Sequence, residues 1–229
     1  MPTEGEIKYH ILNTLRGGSV SDDEAISDRE VIYMFNYARG LEIQKILNST
    51  YYINDEWIQD LGCIPLTTVD KAECCDIAWG CKVLRSVDKI PAALSSKDKD
   101  LYTFLGLIDK VTSIPLMPKA QAVNRKYSKY TSTQRVGYIY NNYLYILHDD
   151  ELEFVNLQGV FGDPREAGRF SDCDGSSCYT DKSDYPIDQA TLSMVYQRIF
   201  RSDEFKIMGF APTDQYNNAR NDVTPINKA

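Results

Sequence analysis

The 229-residue chain lacks a long hydrophobic run, and it contains only two histidines and two tryptophans. A membrane-spanning helix needs about 18 or more apolar residues in succession, and no such run occurs. The first nine residues carry Glu4, Glu6 and Lys8 instead of a basic stretch followed by an apolar core, which is unlike a secretory signal. The composition, 43% hydrophobic and 25% charged, therefore predicts a soluble globular protein with no membrane partner.

Positive charge is scarce, because 25 Lys and Arg residues stand against 33 Asp and Glu residues. The net charge of -8 has the wrong sign for a protein that wraps nucleic acid. Glycine motifs that cradle phosphate are missing, and His10 and His148 have no nucleophile signature beside them. We therefore expect a protein that is not an enzyme and that needs no cofactor.

The six cysteines are Cys63, Cys74, Cys75, Cys81, Cys173 and Cys178. The first four lack the closely spaced pairs of a structural zinc site. We expect the first four to be reduced and partly buried in a reducing cytoplasm, since a free cysteine behaves as a small hydrophobic residue. Cys173 and Cys178 have a turn at Asp174-Gly175 between them that would allow them to join. A metal-binding protein or enzyme that uses the first four cysteines remains the alternative.

Two charged segments are candidate binding sites. The polar insert at residues 171–184 contains four aspartates that offer oxygen ligands for calcium: Asp172, Asp174, Asp181 and Asp184. Their spacing does not fit an EF-hand loop, so a solvated polar loop is the favoured interpretation. The basic segment from Lys119 to Lys129 has the charge to contact phosphate or an acidic partner.

The hydrophobic spacing predicts three helices. Apolar residues at helical intervals predict a first helix at about residues 4–16, and the capping box Ser27-Asp28-Arg29-Glu30 starts a second at about 27–48. The apolar face of the second helix consists of Val31, Met34, Phe35, Ala38 and Leu41, which predicts a helical hairpin at the N-terminus. A last helix is predicted at about 186–208, with Pro186 in its first turn and Gly209 as its stop.

The middle of the chain, about residues 57–161, is predicted to be β-rich because short extended runs alternate with Gly and Pro. An exposed β-hairpin is predicted where Asn141-Asn142 separates the runs 136–140 and 143–147. The predicted fold class is α+β, with a domain at residues 1–209. Residues 210–229 offer almost no apolar face and are predicted to form an extended C-terminal arm that is disordered until it binds.

Three segments resemble structural proteins of crAss-like short-tailed bacteriophages. They are IKYHILNTLRGG at 7–18, IQDLGC at 58–63 and VDKAECC at 69–75. More loosely, the order of elements resembles the head-to-tail adaptor proteins of short-tailed phages. The resemblance implies a non-enzymatic virion protein, an adaptor or tail-stem ring subunit that docks under the portal and extends the DNA channel to the tail. Another ring or accessory protein of the tail is the alternative within this group.

The resemblance also implies partners and a location. The partners are the portal protein, adjacent copies in a ring of about twelve subunits, and other tail-stem ring proteins, with DNA only as passing cargo. The location is the virion, at the tail or head-tail junction, after assembly in the host cytoplasm. The segment from about Lys206 onward would reach the portal. Its candidate interface residues are Ile207, Phe210, Tyr216 and Arg220.

Overall fold

The computed structural model describes residues 1–15, 27–50, 52–69, 83–97, 99–125, 128–148 and 151–201, and these form an α+β fold, as predicted. The helices are α1 (Glu4–Leu15), α2 (Asp28–Thr50), α3 (Lys119–Asn124) and α4 (Gln189–Arg201), with short 3-10 helices at Asp55–Trp57 and Pro164–Arg169. The strands are β1 (Gln59–Asp60), β2 (Ile64–Thr68), β3 (Val83–Ser86), β4 (Ser95–Ser96), β5 (Lys99–Asp100), β6 (Tyr102–Gly106), β7 (Val136–Tyr140), β8 (Tyr143–Leu147) and β9 (Phe154–Gly159). The predicted boundary at Gly209 and the arm at 210–229 lie outside the described residues.

Capping boxes start the first two helices. The backbone amide of Ser27 donates to Glu30 Oε2 at 2.8 Å, and the amide of Glu30 donates to Ser27 Oγ at 3.3 Å. Thr3 and Glu6 make the same reciprocal pair at the start of α1, at 2.9 and 3.3 Å. These bonds satisfy amides that a helix start leaves without a partner, so the predicted start of α2 is confirmed.

The predicted start of the last helix is wrong. Pro186 lies at a buried bend, and α4 begins three residues later at Gln189. Asp188 caps the helix, because its Oδ2 accepts from the amides of Ala190 and Thr191 at 3.0 Å each. With Asp188 as the N-cap, Gln189 is the first helical residue, which leaves Pro186 outside the helix.

Helices α1, α2 and α4 pack around a shared apolar core, which confirms the predicted hairpin and adds a third helix to it. The core comprises Ile7, Ile11, Val31, Met34, Phe35, Ala38, Leu192, Val195 and Ile199, closed by Tyr185 and Ile187. Leu41, predicted on the same apolar face, instead lines a groove at the surface. We call this group of helices the helical layer.

The main sheet is antiparallel, in the order β1-β9-β2-β3-β8-β7, with β6 paired to the opposite side of β9. It curls, because residues 113–117 connect its two ends. Gly106 bridges Ser113 on the β6 side, and Gly137 of β7 exchanges backbone hydrogen bonds with Pro115 and Met117 at 3.0 Å. This connection covers edges that would otherwise present unpaired backbone groups. The enclosed core contains Leu61, Ile64, Leu84, Leu105, Leu144, Ile146, Val155, Leu157 and Phe161.

The predicted hairpin is confirmed as β7 and β8, but it is mostly buried in the main sheet instead of exposed, because β8 also pairs with β3. Asn141 and Asn142 take positive φ angles of 52° and 63°, the conformation that a two-residue turn between twisted strands requires. Tyr138 and Tyr145 pair across the strands, and their rings stack with centroids 5.0 Å apart. The turn chemistry and the aromatic pair together fix the register of this hairpin.

A sharp corner at Gly62 separates β1 from β2, so that both strands pair with β9. Gly62 has φ +62°, and a Cβ there would lie 2.7 Å from the carbonyl oxygen of Ser171 and from Asp172 Oδ1. Only glycine suits this backbone conformation and this close approach. The corner thereby brings the insert at 171–184 against the sheet.

The helical layer contacts the curled sheet on the side of β1, β6 and β9. Ile43 and Leu47 of α2 pack with Trp57, Leu101 and Val160 in an apolar cluster. Next to these residues the chain buries an arginine, Arg39, with no exposed surface. Its side chain donates to the carbonyl oxygens of Phe161 at 2.8 Å and Pro186 at 3.0 Å. Burial lowers the pKa of Arg39, since water no longer solvates its charge.

Candidate functional site

The residues predicted to contact the portal lie outside the described part of the chain. These are Ile207, Phe210, Tyr216 and Arg220, all beyond the end of α4 at Arg201. Their role remains a prediction.

The prediction of a reduced Cys63 is wrong, because Cys63 and Cys173 form a disulfide with their Cα atoms 5.2 Å apart. The corner at Gly62 makes this pairing possible by bringing the amide of Cys63 within 3.0 Å of the carbonyl oxygen of Ser171. Cys173 therefore does not pair with Cys178, which remains a free thiol. The four-cysteine metal site loses Cys63 as a ligand, and its other members, Cys74, Cys75 and Cys81, lie outside the described residues.

The free thiol of Cys178 is partly buried. Burial and the nearby carboxylates of Asp172 and Asp60 raise its pKa to about 12. A thiol with such a pKa is almost entirely protonated at neutral pH, and the thiolate is the form that reacts with electrophiles and metals. Cys178 is therefore a poor nucleophile.

The acidic insert is organised by its own hydrogen bonds. Asp174 Oδ1 accepts from the amide of Ser176 at 2.9 Å and from its hydroxyl at 2.7 Å, and these bonds lower the pKa of Asp174. Within the described ranges, no three histidine, cysteine or acidic side chains are grouped so that they could hold a metal ion. The geometry is that of a polar turn pinned to the sheet by the disulfide.

The two histidines lie where the sequence predicted, in α1 and just after β8. The ring of His10 packs at a tilt on Tyr196 of α4, with centroids 4.7 Å apart. His148 has φ +67°, and burial lowers its pKa. His10 thus contributes to contacts between helices, and His148 stays mostly neutral at pH 7.

A cluster of cations and tyrosines covers the turn end of the β7–β8 hairpin. We call it the cationic-aromatic face, and its residues are Arg85, Lys89, Lys119, Tyr140 and Tyr143. Lys119 Nζ lies 3.9 Å from the centroid of the Tyr140 ring, and Arg85 Cζ lies 4.7 Å from that of Tyr143. Lys89 Nζ lies 5.9 Å from the same Tyr143 ring. Such cation–π contacts orient charged side chains that would otherwise be free to move.

The strand register explains why these residues share one surface. Tyr140 lies directly opposite Tyr143, and Arg85 of β3 lies opposite Tyr145, two residues further along β8 on the same face. Helix α3 packs on this face through Ala122, which places Lys119, its first residue, beside Tyr140. The sequence indicated Lys119 as part of a basic segment, but the other members come from β3, from the residues just after it, and from the two strands of the hairpin.

A second surface, the tyrosine groove, runs along the outer side of α2. It is lined by Tyr33, Tyr37 and Leu41 of α2, with Leu94 and Gly162 on its other wall, and has a volume of about 350 Å³. Tyr33 is 67% exposed and Tyr37 is 43% exposed. Exposed tyrosines of this kind are more frequent at protein interfaces than on other surfaces. Sequence reasoning missed the groove, because its second wall is distant in the chain.

Charge is divided unevenly between the two parts of the fold. Residues 83–148, which carry the cationic-aromatic face, contain ten basic and four acidic residues. The described residues of 1–57 and 162–201, which form the helical layer and its insert, contain nine basic and fourteen acidic residues. The region that carries the cationic-aromatic face is therefore positive and the helical layer is negative, whereas the other described sheet residues, 58–69 and 151–161, contain three acidic residues and no basic one.

The fold thus defines an α+β structural body whose aromatic and charged surfaces suit contacts with other proteins. A family model described as phage tail ring protein 2 matches residues 6–223. The chain belongs to this family of crAss-like phage tail ring proteins, which confirms the resemblance seen in the sequence. A comparison with curated proteins found none that matches.

Family membership establishes a coarse function. The protein is a structural component of a phage tail, is associated with the virion, and assembles in a ring with copies of itself and with other tail proteins. No helix in the described ranges is long and apolar enough to span a membrane.

Proposed function

We propose that this protein is the adaptor ring subunit that docks beneath the portal and extends the DNA channel into the tail. The match to the tail ring family over residues 6–223 carries this proposal, since a ring in the tail is the kind of assembly that can continue a channel. A ring of about twelve copies would match the portal one to one. The protein acts as a structural part, without catalysis and without a cofactor.

The net charge supports passage of DNA through the ring. The chain has a net charge of -8, so a ring of many copies repels phosphate on average instead of binding it tightly. DNA is then cargo that passes through. The virion is the site of action, after assembly in the host cytoplasm.

The C-terminal segment is proposed to attach the ring to the portal. The family match extends to residue 223 and so includes Ile207, Phe210, Tyr216 and Arg220. Aromatic and arginine side chains dominate the binding energy of many interfaces, which favours these residues as anchors. A segment that orders on docking adds its contacts only after the partner is present.

This proposal is tested by truncating the chain after Gly209. The truncated gene is supplied to phage from which the original gene has been deleted. We expect the shortened protein to keep the circular dichroism spectrum and melting temperature of the full chain, but to be missing from particles. Replacement of Phe210, Tyr216 and Arg220 by alanine should reduce its amount in particles in the same way. Alanine at Asn217 and Asn218, in the same segment, is the matched control. Normal incorporation of the truncated chain would contradict the proposed role of the segment.

A further inference from the structure

We propose that neighbouring copies in the ring join head to tail, with the cationic-aromatic face of one copy seated in the tyrosine groove of the next. This inference rests on the proposed function only in that the chain forms a ring, and it names the two surfaces that make the ring contact. A ring built from one kind of subunit with a repeating contact needs two different, complementary surfaces on each copy.

The two surfaces lie on different sides of the curled sheet. The tyrosine groove is at the helical layer, whose second wall includes Leu94 and Gly162 next to the end of β9. The cationic-aromatic face lies on β3, β8 and β7, which are two, three and four strand pairings away from β9. One copy therefore presents the two surfaces in different directions, as a head-to-tail contact requires.

Charge favours another copy of this chain as the partner. Residues 83–148, which include Lys89 and Lys119, have six more basic than acidic residues, whereas the described residues of the helical layer and its insert have five more acidic than basic residues. Contact between these two regions of neighbouring copies brings opposite charges together, whereas contact between two copies of the same region brings like charges together. The same partition disfavours an arrangement in which each copy offers the same surface to its neighbour.

The shapes and chemistry of the two surfaces also correspond. Tyr140 is 45% exposed at the hairpin turn, and its ring already carries Lys119 at 3.9 Å. The groove has a volume of about 350 Å³ and is walled by tyrosine and leucine side chains, so it has room for an aromatic side chain. A cation held over one tyrosine and brought next to Tyr33 and Tyr37 gains a second aromatic neighbour.

Complementary variants test the contact in solution. In the face variant, Tyr140→Ala and Lys119→Ala are combined; in the groove variant, Tyr33→Ala and Tyr37→Ala are combined. Sedimentation velocity should show that each variant alone self-associates about tenfold more weakly than the unmodified chain. A mixture of the two variants should form dimers and no larger assemblies. The intact groove of the face variant can bind the intact face of the groove variant, and the two surfaces left over are both altered. Tyr52→Ala, at a 65% exposed tyrosine outside both surfaces, is the control and should associate normally.

Photo-crosslinking in assembled particles gives an answer even where the isolated chain stays monomeric. With p-benzoylphenylalanine at position 140, irradiation of purified particles should link this position to the peptide that contains α2 of a second copy. Links from position 140 to the portal, to another tail protein or to DNA would overturn the proposed contact and leave the ring function intact. Absence of the chain from particles would instead reject the proposed function. Unchanged self-association of both variants would also overturn the contact.

Discussion

Arg39 Nη1 lies 2.8 Å from the carbonyl oxygen of Phe161, and this hydrogen bond joins the middle of α2 to the curled sheet. The same guanidinium reaches the carbonyl oxygen of Pro186 and lies 5.6 Å from the centroid of the Tyr185 ring. Tyr185 in turn donates to Asn36, whose amide donates to Asp163 at 3.1 Å. One buried polar network thus holds the helical layer, the sheet and the segment before α4 together.

Arg39→Ala is expected to lower the free energy of unfolding by about 3 kcal/mol or more, because it leaves two buried carbonyl groups without a donor and opens a cavity. Arg39→Lys should cost less, since an ammonium group still reaches one carbonyl. Urea denaturation measures both. Arg169→Ala, at an exposed arginine of the second 3-10 helix, is the matched control. A loss below about 1 kcal/mol for Arg39→Ala would show that the network does not hold the layers together.

Reduction of the Cys63–Cys173 disulfide is expected to lower the melting temperature. The bond closes a loop with a sequence separation of 110 residues, and the chain-entropy estimate for a loop of this size is about 4–5 kcal/mol. The double variant Cys63→Ser and Cys173→Ser should melt at a lower temperature and lose its response to dithiothreitol. Cys178→Ser should keep that response. An unmodified chain that melts equally with and without dithiothreitol would contradict this account.

Protonation of Asp60 should make the stability of the fold fall at low pH. Its carboxylate accepts from Lys110 at 2.6 Å, Asn156 at 2.5 Å, Gly62 at 2.8 Å and Gln158 at 3.0 Å. Burial opposes ionisation, but these bonds outweigh it, and the pKa of Asp60 falls below its ordinary value of 3.8.

Because the folded pKa is lower than the unfolded one, the stabilisation is complete above the ordinary value and is lost as pH falls through the folded pKa. Melting curves recorded from about pH 6 down to about pH 2 should show a smaller acid-induced loss for Asp60→Asn than for the unmodified chain. Asp55→Asn, at an exposed aspartate, is the control. If the melting temperature fell equally with pH in the unmodified chain and in Asp60→Asn, the result would contradict this prediction.

Asp188 fixes the start of α4 and also anchors the first 3-10 helix. Besides capping the helix, it accepts from Trp57 Nε1 at 2.5 Å. Asp188→Ala should lower the free energy of unfolding by about 1–3 kcal/mol, because it removes the cap and leaves the buried indole N–H without an acceptor. Asp188→Asn should retain much of the cap and lose less. Thermal unfolding followed by tryptophan fluorescence would measure both, and equal losses would show that capping is not the cause.

The sequence predicted the elements that are stabilised by interactions between residues close together in the chain. The capping box at Ser27 and Glu30 located α2, and Asn141-Asn142 located the hairpin, because each involves bonds between neighbouring residues. The proline pattern predicts a start for α4 that is three residues too early, because the cap at Asp188 sets the first turn. Pro186 and Asp188 are only two residues apart, and the sequence alone does not show which of them starts the helix.

Contacts between distant segments were not predictable in this way. The Cys63–Cys173 bond joins residues 110 positions apart, and it depends on the corner at Gly62. The burial of Arg39 depends on carbonyl groups that two later segments supply. The cationic-aromatic face likewise combines residues from β3, the hairpin and α3. Each of these features requires the tertiary fold. The resemblance to the phage family requires only the residues of three short segments, 7–18, 58–63 and 69–75.

The most direct test of the account is the copy number of this chain in purified phage particles, measured by quantitative mass spectrometry and scaled to the portal protein. An adaptor ring beneath the portal predicts about one copy per portal subunit. A chain that is missing from particles, or present at a small fraction of the portal, would contradict the account.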